Sequence, residues 1–539
     1  MEDPTSDLVT FATLRDALAI AKAKRSRIQN FLPLRELAMR KIVSYDVRIE
    51  SSPLMLHLPS CLKLEILDRM HAKGVEMEKK LTMPAVKDLI FGMLYSLLDA
   101  STKKFDFVVF STHHKSDKQR DLDMWKLLVR KCPNLEQISD SRKHAEPGSW
   151  QPDGVEKGVG KFKLQDVKYF LLQLPNLQHM ILEQYGCDEE DMAWVAQHFP
   201  NLITLGVSLS IVSPFLFDNL FHLQRLEVLK IHFGYRNLSE EDQTMQELYW
   251  RNFGLEYVKR FPRLRIYNFH PDYFVYAQSG DALFTEDPGQ PHPLERITTN
   301  HFFDFRHTPN LTNVKFTDGI IGNPAFCVFL TNLRVLDVSD DRGNLIYHIL
   351  TLCGKQLEEL ELNICEGEDT MDVCDIFLLC PRLHKLGYYL HDPFHESKPF
   401  NDQLDASHFR SLKEFSLNWR LSYTYASRLM ALVLTAPLLE RFTMKESFTM
   451  TPEVCTRLHR PLIEGKILQK LREFQFGSHL EHPADLLQFL LLLPVHAPRL
   501  QRMEYFGAHP SFLQMIRKSP MEALNAVENF VYTIARSWC

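Results

Sequence analysis

A chain of 539 residues, 45% apolar and 24% charged, can bury more core than one compact domain uses, so it is either a multidomain protein or a repeat array. A formal net charge of -6 is too small for its size to give a general footprint for nucleic acid or an anionic membrane, and neither is expected as a partner. The ten cysteines contain no C-x-x-C pair and read as reduced thiols, while the acidic start "MEDPTSDLVTF" lacks the pattern of an export signal; the expectation is cytoplasm, nucleus or both.

In chain order, the first patterned element is "LPLRELAMRKIVSYD" (32–46). Leu34, Leu37, Ala38 and Ile42 share one helical stripe, Arg35, Glu36, Arg40 and Lys41 share the other, and Pro33 stands where a first helical turn tolerates it. A second proline-bearing segment, "LPSCLKLEILDRM" (58–70), follows. In "AVKDLIFGMLYSLLDA" (85–100), Lys87, Asp88 and Asp99 interrupt an apolar run already too short to span a bilayer. Val86, Leu89, Ile90, Met93, Leu97 and Leu98 instead keep the spacing of a buried helix. Residues 1–104 are expected to form an all-α module.

A recurring phrase then takes over: "PNLQHMIL" at 175, "PNLITLGV" at 200, "NLRVLDV" at 332, "QLEELEL" at 356 and "SLKEFSL" at 411. Each reads Leu-x-x-Φ-x-Φ, where Φ is apolar. The anchoring leucines are Leu135, Leu177, Leu202, Leu226, Leu264, Leu311, Leu333, Leu357, Leu383, Leu412, Leu439, Leu471 and Leu500, and most gaps between them run from 22 to 32 residues. Alternating pairs such as Leu336 and Val338 predict a short strand with one buried face. Helices are predicted between strands, at 188–199 and 374–380, where the acidic runs "CDEED" and "EGEDTMD" suit helix starts. Turn-rich text at 143–154 and 286–293 predicts protruding loops.

Strand plus helix at this repeat length resembles a leucine-rich repeat, and "KCPNLEQI" at 131 and "CPRLHKL" at 380, with Cys365 after "LEELELNI", resemble its cysteine-containing subtype. The resemblance implies an α/β fold: an irregular solenoid, or horseshoe, over residues 105–510, preceded by the all-α module and closed by a cap at 511–539. Residues between the buried pair of each strand then point to the concave side. His179, Lys230, Asn268, Lys315, Asp337, Glu361, Lys385 and Arg441 are the candidate substrate-binding residues, a mixture of charges suited to a protein ligand.

Motifs for chemistry are missing. "GVEKGVGK" at 154 lacks the spacing of a phosphate loop and has Phe162 where Ser or Thr would hold magnesium. His113, His114, His391 and His395 have no Cys or Glu set at zinc spacing and read as surface histidines. No catalytic, metal or cofactor residue is assigned, so the expectation is a non-enzyme.

The amino-terminal segments carry a second resemblance. Pro33, Leu34, Ala38 and Ile42 (box 33–42) resemble the elongin C-binding box of the von Hippel-Lindau and SOCS families, with Ala38 in place of the usual cysteine, as in PRAME-type receptors. Leu58, Pro59, Leu62 and Ile66 (box 58–70) resemble the cullin-facing box that follows it, and equally the opening of an F-box, although no tryptophan-bearing second half follows. The resemblance implies a substrate receptor of a cullin-based ubiquitin ligase, bound to an elongin B/C-type adaptor and cullin or to an F-box adaptor. Two alternatives stand beside it: a plain repeat scaffold whose first helices are a cap, and an enzyme built into the solenoid.

Overall fold

The computed structural model describes residues 60–77, 91, 94–107, 118–140, 162–209, 219–233, 260–271, 291–301, 305–321, 324–339, 343–364, 371–390, 400–401, 403–418, 423–444, 451–477, 483–505 and 529–532. The box at 33–42, Leu58, Pro59, the 143–154 loop, "GVEKGVGK", Cys365 and the four histidines set aside above lie outside them. The chain divides into two compact units, one of Leu32–Gly280 with Glu286–Thr299 and one built on Asn300–Cys539.

The local rule is the same in both units. In "CPNL", "LPNL", "FPNL" and "TPNL" the anchor leucine closes a tight turn, its N–H donating to the carbonyl three residues back: Leu135 to Cys132, Leu177 to Leu174, Leu202 to Phe199, Leu311 to Thr308. Proline suits the second position of such a turn because its φ is already set there. The next two N–H groups both donate to one carbonyl of the preceding rung, as Ile203 and Thr204 do to Gln178, and His384 and Lys385 to Glu358. Each turn therefore delivers its strand in fixed register, and the leucine behind it is sealed: the first twelve anchors are all buried. Each such leucine contributes about 1.5–3 kcal/mol. Leu500 alone is half-buried.

In the first unit, helix α1 (Ser60–Met77) precedes β1 (Lys104–Asp106), α2 (Lys118–Lys131) and β2 (Gln137–Ser139). Then come β3 (Phe162–Lys163), α3 (Lys168–Leu171), β4 (His179–Cys187), α4 (Glu189–His198), β5 (Thr204–Leu209), β6 (Val228–Phe233), β7 (Ile266–Pro271) and β8 (Arg296–His301). The pairing is parallel throughout, β1–β2–β4–β5–β6–β7–β8, with β3 added beside Tyr185 and Gly186. Ile138, Met180, Leu205, Leu229, Tyr267 and Ile297 share one register and are buried.

In the second unit the order is β9 (Asn313–Ile321), β10 (Val335–Ser339), α5 (Gly343–Cys353), β11 (Glu359–Ile364), α6 (Val373–Leu379), β12 (Lys385–Leu390) and β13 (Glu414–Asn418). It ends with α7 (Tyr423–Val433), β14 (Arg441–Met444), α8 (Pro452–Ile463), β15 (Glu473–Phe476), α9 (Pro483–His496), β16 (Arg502–Tyr505) and β17 (Asn529–Tyr532). These strands also pair in parallel, each with the next. Phe415, Phe442 and Phe474 stack through the core with centroids 5.8 and 5.0 Å apart. Helices are capped by the residue types that can accept from free N–H groups: Asp188 from Asp191, Asp372 from Cys374, and Thr451 from Val454 with Pro452 behind it.

Ladders of parallel strands with helices or single turns between them, each rung sharing its core with the next, make this an α/β leucine-rich-repeat solenoid. Three rungs differ from expectation. Thr102 takes the anchor place of β1, its N–H bonded to Asp99 O, and is buried. β8 lies within a stretch read as a gap, because "LERITT" carries Thr299 where an aliphatic is expected, and that threonine is buried. β17 continues the ladder into the segment set aside as a cap. The expected 286–293 loop also does not protrude throughout: His292 is buried, its Nε2 at 3.1 Å from Phe261 O and its Nδ1 accepting from Leu294 N. Among the described residues, no helix is long and apolar enough to cross a membrane.

Candidate functional site: the outward strand faces

Counting from each anchor, the third and fifth residues point into the core and the second and fourth point out. The parallel registers set the outward residues side by side, and the two units present different chemistry on them.

In the second unit one row reads Glu359, Lys385, Glu414, Arg441, Glu473, Arg502, with the sign alternating at every strand. Like charges facing each other across neighbouring strands repel, so alternation is the arrangement that packs. Arg441 pairs with Glu414, and Arg502 reaches Glu473 at 3.9 Å and Glu504 at 2.6 Å. The next row reads Lys315, Asp337, Glu361, Gly387, Ser416, Thr443, Gln475, Glu504. Lys315 sits 2.5 Å from Asp337, and Lys385 3.7 Å from Glu361. Burial raises the Asp337 pKa, and Lys315 only partly counters it. Between the charged ends, the Tyr389 hydroxyl donates to Ser416 Oγ at 3.1 Å, and its ring lies over Gly387, where a Cβ would come within 3.1 Å of it.

In the first unit the rows are shorter in charge. One reads Gln137, His179, Thr204, Val228, Ile266, Arg296, and the other Ser139, Ile181, Gly206, Lys230, Asn268, Thr298. His179 Nδ1 lies 2.9 Å from Thr204 Oγ1, and burial, with the nearby Lys104, lowers its pKa. Thr298 donates to Asn268 at 3.2 Å. Gly206 leaves room for Ile181, whose Cγ2 stands 2.9 Å from where a glycine Cβ would be.

The eight candidates from sequence thus fall on two sets of in-register rows, His179, Lys230 and Asn268 in one unit and the other five in the other. Sequence reasoning did not single out Val228, Ile266, Arg296 or Tyr389, since the repeat pattern marks outward positions without ranking them.

Of the proposed adaptor residues, two are described. Leu62 on α1 is half-buried, whereas Ile66 is 1% exposed and Leu67 2%, both buried within their own chain. The same helix is tied down by Ser60 Oγ at 3.3 Å and Lys63 Nζ at 3.6 Å from Asp99. Burial tends to raise the Asp99 pKa, but hydrogen bonds from Ser101 and the Lys63 charge outweigh it and hold the carboxyl low.

Among the described residues, no group of three His, Cys, Asp or Glu could hold a metal. Glu183 and His232 approach to 3.5 Å near Ser208, but the buried Ser208 Oγ has no hydrogen-bond partner among the described residues, so these residues join no nucleophile to a base there.

No family model matches the chain, and no curated protein matches it in sequence. Similar solved structures include an internalin from Listeria monocytogenes, with 9% identity, TM-score 0.34, and coverage of 68% of this chain and 83% of that one. A leucine-rich-repeat protein of Leptospira interrogans has 15% identity and TM-score 0.33, covering 67% and 92%. TLR13, in its complex with ssRNA13, has 13% identity and TM-score 0.35, covering 69% of this chain and half of that one.

Proposed function

We propose that the chain is a non-catalytic receptor subunit that binds a protein through its outward strand faces and is delivered to a cullin-based ubiquitin ligase by its amino-terminal helices. The observation that carries the binding half is the in-register display of outward side chains: rows of complementary charge and hydroxyls, on strands whose register is held by backbone bonds. A rigid extended surface of this kind suits a macromolecular partner better than a small molecule. The ligase half rests on Pro33, Leu34, Ala38 and Ile42 and on Leu58, Pro59, Leu62 and Ile66, with elongin B/C-type and F-box adaptors as the two attachments. Transfer chemistry then belongs to the assembly, and the receptor supplies proximity. The compartment that goes with this reading is cytoplasm or nucleus, with neither nucleic acid nor membrane as partner.

A second reading has its own observation. The burial of Ile66 and Leu67 and the Lys63–Asp99 pair are what a helix that merely caps the first rung would show. Affinity capture separates the two, using wild type beside Leu34→Asp and Leu62→Asp and scoring elongin and the F-box adaptor. Elongin recovered by wild type and lost on Leu34→Asp supports the first attachment. F-box adaptor lost only on Leu62→Asp supports the other. Recovery of neither adaptor by wild type leaves the cap and a scaffold unrelated to ubiquitin.

A further inference from the structure

On strands β4 to β8, the two outward rows contain only two residues of fixed charge, Lys230 and Arg296, both positive and neither with an ionic partner among the described residues. Their acidic neighbours, Glu227 and Glu295, lie one row lower and converge on Arg265, at 3.9 and 2.9 Å. Between the two cations stand Val228 and Ile266, side by side in register and half-buried, with Arg296 directly beside Ile266 and Lys230 two residues beyond Val228 on the same face. Ile181 extends the patch across Gly206 toward Lys230, because the glycine places nothing between them. The second unit is different: among the described residues the charges along its outward rows are paired, apart from Glu359.

We infer that this face of the first unit is the docking surface for an acidic protein segment carrying a branched aliphatic anchor. Resting on the receptor reading, the inference names the chemistry of its partner. Aliphatic side chains on an open sheet face gain by being covered, and the two unpaired cations select carboxylates flanking whatever covers them. A phosphate backbone would meet only two cations and gain nothing from Ile181, Val228 and Ile266.

The test uses the full chain and a probe, the acetylated, amidated peptide Asp-Glu-Ile-Val-Glu-Asp-Leu-Glu, beside a version with serine at its three aliphatic positions. A carbodiimide couples a peptide carboxylate to a lysine amine that it meets, forming an amide and releasing the urea, and mass spectrometry locates the lysine. The expected result is an adduct at Lys230, about fivefold or more richer with the aliphatic peptide, and reduced by a similar factor in Arg296→Glu and in Val228→Asp. Arg296 is exposed, so its variant keeps the fold, which circular dichroism checks. Equal yields from the two peptides, displacement by polyuridylate as effective as by unlabelled peptide, or preferential coupling at Lys315 and Lys385 would overturn the inference. In the capture experiment, a partner kept by Lys230→Glu/Arg296→Glu and lost by Lys385→Glu/Arg441→Glu would also overturn it while leaving the receptor reading standing. Capture of no partner at all would fell the receptor reading, and the peptide coupling would still decide this one.

Discussion

Trp125 Nε1 donates a 2.8 Å hydrogen bond to the hydroxyl of Tyr185, sixty residues away in sequence, and both side chains are wholly buried. The indole also lies 5.2 Å from Phe107 and 6.5 Å from Phe170, so helix α2 is keyed to β4 by a polar contact inside an aromatic cluster. Tyr185→Phe keeps the shape and strands the indole N–H. We expect a loss of about 1–3 kcal/mol, measured by urea unfolding, because a buried donor is left without a partner.

Two outward groups give stability opposite responses to pH. The folded state holds the Asp337 proton more tightly than the unfolded chain does, so raising the pH above the ordinary value of 3.8 removes stability until the carboxyl is ionised in both states. His179 behaves the other way: its pKa is lowered on folding, so its contribution is complete above 6.5 and is lost as the pH falls below that value. Urea midpoints followed across this range should show Asp337→Asn removing the first slope and His179→Gln the second.

Stacking crowds a methyl at Gly354 and Gly387, as it does at Gly206, to different degrees. A Cβ on Gly354 would stand 2.9 Å from the backbone carbonyl of Leu379 in the next repeat, whereas one on Gly387 would meet the Tyr389 ring at 3.1 Å. A carbonyl fixed in its own helix cannot yield, but a tyrosine can rotate. Gly354→Ala should therefore lower stability by about 1–3 kcal/mol and Gly387→Ala by less, read from thermal unfolding.

Thiol reactivity should divide the described cysteines sharply. Cys61 is exposed, while Cys132, Cys187, Cys327, Cys353, Cys374, Cys380 and Cys455 are buried. Burial pushes the thiols of Cys132, Cys353, Cys374 and Cys380 up to about 12, far from the thiolate form that reacts. Iodoacetamide followed by peptide mass spectrometry should label Cys61 in the native protein and the others only after unfolding. Early labelling of Cys353 or Cys380 would mean that the rung containing α5 opens on its own.

The repeat was legible in sequence because one physical rule writes it: a turn, a sealed leucine, and alternate residues turned inward. Where the rule is met by other atoms, the signal fades. Thr102 fills a leucine's place at β1 and Thr299 an aliphatic's at β8, and neither rung could be read until its strand was seen paired. His292 looked like part of a polar loop, yet its ring is buried and satisfied by Phe261 and Leu294, a pairing that no spacing in the sequence announces.

Outward positions show the same division. That Lys315, Asp337 and Glu361 point out follows from alternation alone, since successive side chains of a strand face opposite ways. That Glu359, Lys385, Glu414 and Arg441 make an alternating row, and that Val228 and Ile266 stand between Lys230 and Arg296, depends on register between strands some 25 to 40 residues apart. Ile66 makes the point for the amino-terminal helix: its place in the pattern was plain in sequence, and its burial shows only in the folded chain. Periodicity is a local property and survives in one dimension. Neighbours across strands, and the face a helix buries, are decided by backbone bonds and contacts that exist only once the chain has stacked.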